Sequence, residues 1–89
     1  SIIQNNKECF FCHTTQNLHL HHIFFGSKRK ISDKNGFTVY LCAYHHNASN
    51  ESVHMNRELD LKLKEYTQIR YEKKYKRDDF IKLIGKSYI

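Results

Sequence analysis

Proline and tryptophan are missing from this 89-residue sequence, and glycine and cysteine occur only three times each. Without proline-rich or glycine-rich stretches there is no linker or low-complexity segment, so the chain reads as a single domain over 1–89. No apolar run approaches the eighteen or so residues that would cross a bilayer, and no charged-then-apolar leader opens the chain. The expectation is a cytoplasmic protein with no membrane contact. An odd number of cysteines cannot close a disulfide framework. Hydrophobic residues make up only 39% of the chain, too few for a domain this small to be held by its core alone, so a further staple is expected.

Metal is the staple that the pattern favours. All three cysteines and all seven histidines fall between Cys9 and His54, and residues 55–89 contain neither type. The chain thus divides into a chemistry-bearing part, 1–54, and a helical part, 55–89. The run Cys9-Phe10-Phe11-Cys12 is matched by Cys42-Ala43-Tyr44-His45, with 29 residues between Cys12 and Cys42. Two pairs of this spacing each turn back on themselves and together supply the four ligands of a closed tetrahedral zinc site. Three other readings compete. A redox CxxC pair wants a strand–helix–strand context that is not visible. Cys9-Phe10-Phe11-Cys12-His13 also spells a c-type haem attachment signature, with Met55 or a second histidine as the other axial ligand, but that leaves residues 42–46 unexplained. Buried cysteines with no metal are the third.

Leu18-His19-Leu20-His21 alternates as a half-buried strand does, and residues 37–42 form a β-branched and aromatic strand. Between them, residues 26–30 read as a basic loop and Asn35-Gly36 as a tight turn. Residues 43–50 read as a short helix that places His46 and Asn50 on one face and turns His45 away.

These residues resemble the HNH endonucleases, the ββα-metal or His-Me finger nucleases, and in particular small phage-type members with CxxC zinc ligands. The likeness covers residues 9–63, with the tail 80–89 also similar. It is carried by His21-His22-Ile23, by Val39-Tyr40-Leu41-Cys42, by His45-His46-Asn47 and by Val53-His54-Met55-Asn56. The resemblance implies an α+β fold, a zinc-stabilised ββα-metal domain with a C-terminal helical extension. It implies His22 as general base, His21 and His46 as ligands of a catalytic Mg2+ or other divalent ion, and His45 in the place of a fourth cysteine at the structural Zn2+. It further implies double-stranded DNA as partner, cleavage to a 5′-phosphate and a 3′-hydroxyl, no small-molecule cofactor, and a bacterial or phage-infected cell as the setting. The family's central Asn has only Asn35 as a nearby counterpart, since the start of the second strand reads Gly36-Phe37-Thr38. For the third catalytic ligand His54 is preferred to Asn50, because imidazole binds divalent ions better than a carboxamide.

Phosphodiester hydrolysis asks for such residues. A neutral imidazole suits proton removal from water, and a divalent ion suits the charge that develops at phosphorus and the leaving oxygen. Adjacent residues on a strand point to opposite faces, so His21 and His22 share a site only where the strand ends or bulges. Fifteen Lys and Arg against nine Asp and Glu leave a formal charge of +6, divided between the two parts of the chain. Lys28, Arg29 and Lys30, with Lys34, follow the base on the connecting loop and are the candidate phosphate contacts. A zinc-containing nucleic-acid-binding module without chemistry is the alternative. In the tail, Asn56 is expected to cap a helix whose Leu59, Leu63, Tyr66 and Ile69 form the packing stripe, and Asp78 to cap a final helix carrying Phe80, Leu83 and Ile84. Tyr66, Tyr71 and Tyr75 are read as packing residues.

Overall fold

The computed structural model describes residues 1–89. It is a small α+β unit. Strands β1 (Leu18–His22) and β2 (Thr38–Cys42) pair antiparallel, with Leu18 opposite Cys42 and His22 opposite Thr38. Three helices follow in chain order: α1 (Arg29–Asn35) between the strands, then α2 (Arg57–Tyr71) and α3 (Arg77–Ile84). A π-helical turn, Tyr44–Ala48, follows β2 directly. No helix is long and apolar enough to cross a membrane.

The two strands differ in burial because only one lies inside. Four of the five residues of β2 are buried, whereas β1 exposes His19 and Leu20 and buries His21. The far edge of β2 is covered by the N-terminal segment: Tyr40 N–H donates to Gln4 Oε1 (2.7 Å), and Phe10 N–H donates to the Tyr40 carbonyl (2.9 Å). Covering an edge in this way removes a row of unpaired backbone groups. Beneath the sheet, Phe24 and Phe37 from the first part of the chain meet Phe80 and Tyr71 from the helices at ring-centroid distances of 5.5 to 6.1 Å.

The segment between the strands is a helix, not the expected basic loop with a hairpin turn. A 3-10 turn, Gly26–Lys28, leads into α1, and Gly36 ends it at φ 71°. Gly36 N–H donates to Asp33 and Phe37 N–H to the Ser32 carbonyl (2.8 Å), the closure that ends helices on a left-handed glycine. Asn-Gly serves a tight hairpin through the same positive φ, so the dipeptide alone does not distinguish the two structures. The fully buried Ser32 hydroxyl clamps α1 to the end of β1: it donates to the Phe24 carbonyl (2.6 Å) and accepts from Phe24 N–H (3.0 Å).

Asn56 caps α2 as expected, accepting from the amides of Glu58 and Leu59. The packing stripe is rotated from the expected one. Tyr66 and Ile69 are 38% and 42% exposed, while Asp60, Leu63, Lys64, Thr67, Gln68 and Tyr71 are buried. That face tolerates polar groups because most of them find partners within the fold. Lys64 pairs with Asp60 (2.8 Å), Thr67 donates to the Leu63 carbonyl (2.8 Å), and Gln68 Oε1 accepts from Tyr88 N–H (2.7 Å). In α3, Phe80 and Ile84 are buried and Gly85 ends the helix at φ 100°, but Lys76 occupies the cap position and Asp78 lies in the first turn.

Candidate metal centres and a histidine cleft

Two groups of metal-ligating side chains lie on the same strand–turn frame. The first is Cys9, Cys12, Cys42 and His45, whose ligand atoms all fall within 4.8 Å of one another. Cys9 and Cys12 sit on a turn in which His13 N–H donates to the Cys9 carbonyl (2.9 Å) and His13 adopts φ 65°. Cys42 ends β2, and His45 lies on the π turn three residues later. The distances Cys12 Sγ to Cys42 Sγ, Cys9 Sγ to His45 Nδ1 and Cys42 Sγ to His45 Nδ1 are 3.8, 3.6 and 3.3 Å. A tetrahedron with Zn–S near 2.3 Å and Zn–N near 2.05 Å has edges of about 3.8 Å between sulfurs and about 3.6 Å between sulfur and nitrogen. The group can hold a metal and is consistent with structural zinc. Burial resists ionisation of the Cys9 thiol, but the backbone amides of Cys12, Cys42 and Phe11 outweigh it and lower the pKa to about 6, as a thiolate ligand requires.

The second group is His21, His46 and His54, again with ligand atoms within 4.8 Å of one another. His46 is adjacent in sequence to the thiolate cluster's His45, and the π turn sends the two rings to different clusters. His54 arrives by backbone pairing. The amide of Val53 donates to the His45 carbonyl (2.9 Å) and that of His54 to the His46 carbonyl (3.3 Å). This register brings Nε2 of His54 to 3.2 Å from Nε2 of His46. His21 is 2% exposed, and its Nε2 has no hydrogen-bond partner. An unpartnered polar atom at such depth costs about 1–3 kcal/mol, a cost that a bound cation removes. Burial, then the nearby His46, His54 and Lys64, lower the His21 pKa to about 3, so the ring is neutral at physiological pH. Burial, then His54 and His19, lower that of His46 as well. Neutral imidazoles are the state in which histidine binds metals, and the donor set fits a divalent ion.

These imidazoles line a cleft of about 450 Å³ that also contains His22, Phe25, Gly26 and Arg29. His22 is the last residue of β1, and the strand's end there is what lets neighbouring histidines share one cleft. Its Nε2 lies 3.4 Å from Asp33 Oδ1 on α1, with 14% of the His22 side chain exposed. Phe25 forms a wall, with ring centroids 5.2 Å from His54 and 6.0 Å from His21. Behind it, the Lys64 ammonium sits 4.3 Å from the Phe25 ring centre.

The remaining residues singled out from the sequence are dispersed. Arg29 lines the cleft, while Lys28 and Lys30 are its neighbours around the start of α1 and do not line it. Asn35 is not in the cleft: its amide donates to the Ile31 carbonyl within α1 (2.8 Å), and with Lys34 it lines a separate groove. The helix between the strands carries both residues away from the site that a loop would have left them near. Asn50 is exposed, and the π turn ends before it, so it shares no helical face with His46.

Two contributors escaped sequence reasoning. His19, assigned no role from the sequence, places its Nδ1 2.9 Å from Nδ1 of His46. It lies two residues before His21, so strand alternation puts both on one face, and that spacing was the available signal. Asp33 is the other, and no signal for it exists without α1.

The fold and its sites thus define a small α+β protein with a Cys3His cluster able to hold a metal and a second, histidine-lined cleft. Comparison with family models, with curated proteins and with solved structures gives no match.

Proposed function

We propose that the protein is a metal-dependent DNA endonuclease or nickase of the HNH type. In this reading β1, β2 and the turn after them are the ββα-metal frame, and Cys9, Cys12, Cys42 and His45 hold a structural zinc. The observation that carries the reading is the convergence of His21, His46 and His54 in one open cleft with a fourth imidazole, His22, that is not a member of their cluster. Metal-ligand and base are thus separate groups facing one space, which is what hydrolysis of a phosphodiester asks for.

His21, His46 and His54 would hold the divalent ion, which when bound would supply charge neutralisation at phosphorus and at the departing oxygen. His22 takes the proton from the attacking water. Its Nε2 lies 3.4 Å from the Asp33 carboxylate, and its Nδ1 is the nitrogen that would receive the proton. Nδ1 of His46 lies 2.9 Å from Nδ1 of His19, a contact that would orient the His46 ring if its Nε2 held the ion. Arg29 at the cleft contacts the phosphate and aligns the strand.

The test is nicking of supercoiled plasmid with magnesium, manganese or nickel, by the parent protein and by His22→Ala. Losing a general base lowers the rate by about 10²- to 10⁴-fold, while the gel shift of the plasmid persists. If the parent protein shifts DNA but nicks it with none of the three ions, the non-catalytic zinc-containing binding module replaces this reading.

A further inference from the structure

A second groove lies at the corner where α1 meets α2 and α3. One part, about 360 Å³, is lined by Lys34 from α1, Arg70 from α2 and Lys74 just beyond it, with no carboxylate among its lining residues. A neighbouring part, about 390 Å³, shares Asn35, Tyr71 and Tyr75 with the first and continues past Asp79 and Lys82. Neither part shares a lining residue with the histidine cleft.

The three cations have no acidic partner. None of Lys34, Arg70 and Lys74 forms a salt bridge, in contrast to Lys62, Lys64 and Arg77, which do. Arg70 reaches only the Ile2 carbonyl (3.4 Å). Three unpaired cations lining one groove, Lys34 on α1 and Arg70 and Lys74 four residues apart at and just beyond the end of α2, suit a polyanion. Its chemistry is narrowed by the tyrosines. Tyr71 is buried against Phe37 and Phe80, and Tyr75 stacks on it at 4.7 Å with an interplanar angle of 25°. Tyr75 remains 57% exposed, so one ring is anchored on a buried one and still offers surface to the groove. Packing alone does not require the outer ring. Cations alternating with an anchored aromatic surface are how proteins hold unpaired nucleic acid, phosphates on the cations and a base on the ring.

We infer that this groove binds a single-stranded segment of nucleic acid, with Lys34, Arg70 and Lys74 on successive phosphates and a base stacked on Tyr75. The inference rests on the nucleic-acid substrate proposed above and adds a second contact away from the bond to be cut. Such a contact suits a substrate with an unpaired region, a flap, a gap or a frayed end, more than a uniform duplex.

Binding is measured by fluorescence anisotropy of a labelled twenty-nucleotide oligothymidine, using zinc-loaded protein in the His22→Ala background at 50 to 200 mM salt (about one to four times the lower limit, the range over which counterion release is read). Lys34→Ser/Arg70→Ser/Lys74→Ser is expected to raise Kd by about tenfold or more and to reduce the log–log salt slope by about 2, at about 0.7 per phosphate contact. Tyr75→Ala is expected to raise Kd about fivefold or more for oligothymidine and to leave an abasic strand unaffected. Lys34→Ser/Lys74→Ser keeps the Arg70 contact with Ile2 and replaces the triple variant if the latter melts early. A control triple, Lys7→Ser/Lys62→Ser/Lys86→Ser, removes equal charge elsewhere and is expected to change Kd by less than about threefold, because distant exposed charges are screened. The inference is overturned if the control weakens binding as much as the groove variant, if the groove variant leaves the salt slope unchanged, or if polyglutamate competes as well as the oligonucleotide. Because cutting plays no part in this assay, failure of the parent protein to nick plasmid sinks the nuclease reading and leaves the groove result standing.

Discussion

His45 and His46 are chemically identical neighbours, yet they serve clusters of opposite character. The His45 cluster is made of three sulfurs and one nitrogen whose ligand atoms lie within 4.8 Å of one another, with Cys9 and Cys42 buried in the core. The His46 cluster has three nitrogens and opens onto a 450 Å³ cleft. A closed four-ligand set leaves no position for a substrate, whereas three protein ligands leave room for one. The lesson is that ligand count and access, not ligand type alone, distinguish a closed cluster from one that opens to solvent.

The largest effect should come from breaking the closed cluster. Structural zinc contributes on the order of 10–16 kcal/mol, comparable to the whole stability of about 5–15 kcal/mol expected of a folded domain. His45→Ala or Cys12→Ser should therefore abolish the cooperative thermal melt, as should stripping zinc with a chelator. His46→Ala should keep a cooperative melt while the bound-metal content falls from two ions per chain to one. Equal behaviour of His45→Ala and His46→Ala in calorimetry would erase the contrast between the clusters.

An intermediate effect concerns pH. His21 in the folded state has its pKa lowered to about 3 from the ordinary 6.5, so between those values the unfolded chain binds more protons. Stability from this group is complete above about pH 6.5 and is lost as pH falls toward 3. Between pH 7 and pH 5 the loss is about 2 kcal/mol for a buried group with this shift. His21→Gln should remove it, so the difference in melting temperature between the two proteins should shrink on acidification, with the zinc cluster common to both. A difference that stays constant from pH 7 to pH 5 would show that His21 is not held neutral by the fold.

The smallest effect sharpens the comparison from within the open cluster. His19→Gln should weaken metal binding there by about 10- to 100-fold, the usual consequence of removing a ligand's hydrogen-bond partner. Titration of manganese or nickel into zinc-loaded protein measures it, and the zinc content should not change. A wild-type affinity in the variant would mean that the His19 to His46 contact orients nothing.

Much of the closed cluster was legible because its information is local. Two-residue spacing brings the two donors of each pair together, whereas the meeting of Cys9 and Cys12 with Cys42 and His45 across 29 residues is the work of the tertiary fold. The cap at Asn56 and the existence of both strands were legible for the same reason, since caps, alternation at 18–21 and the β-branched run 37–42 act over a few residues, but the alternation misplaced the buried side of β1, where Leu20 is exposed and His21 is buried. Helix α1 was not. Its seven residues carry no apolar period, and Gly36 at positive φ suits a hairpin or a helix end equally. That omission displaced Lys34 and Asn35 from the groove they line to a cleft they do not reach, and it hid Asp33 beside His22. The buried face of α2 was misjudged because periodicity counts hydrophobic side chains, whereas Asp60, Lys64, Thr67 and Gln68 are buried by partners supplied from the helix itself and from residues 87–88.

Taken by itself, the amino-acid order determined the stock of donors, their segregation into 9–54 and the places where strands and the long helix begin, all consequences of short-range geometry. Tertiary structure decided which imidazole serves which centre. The pairing of residues 53 and 54 with the carbonyls of 45 and 46, and the helix inserted between the strands, are contacts between segments, and nothing in local spacing specifies where such segments meet.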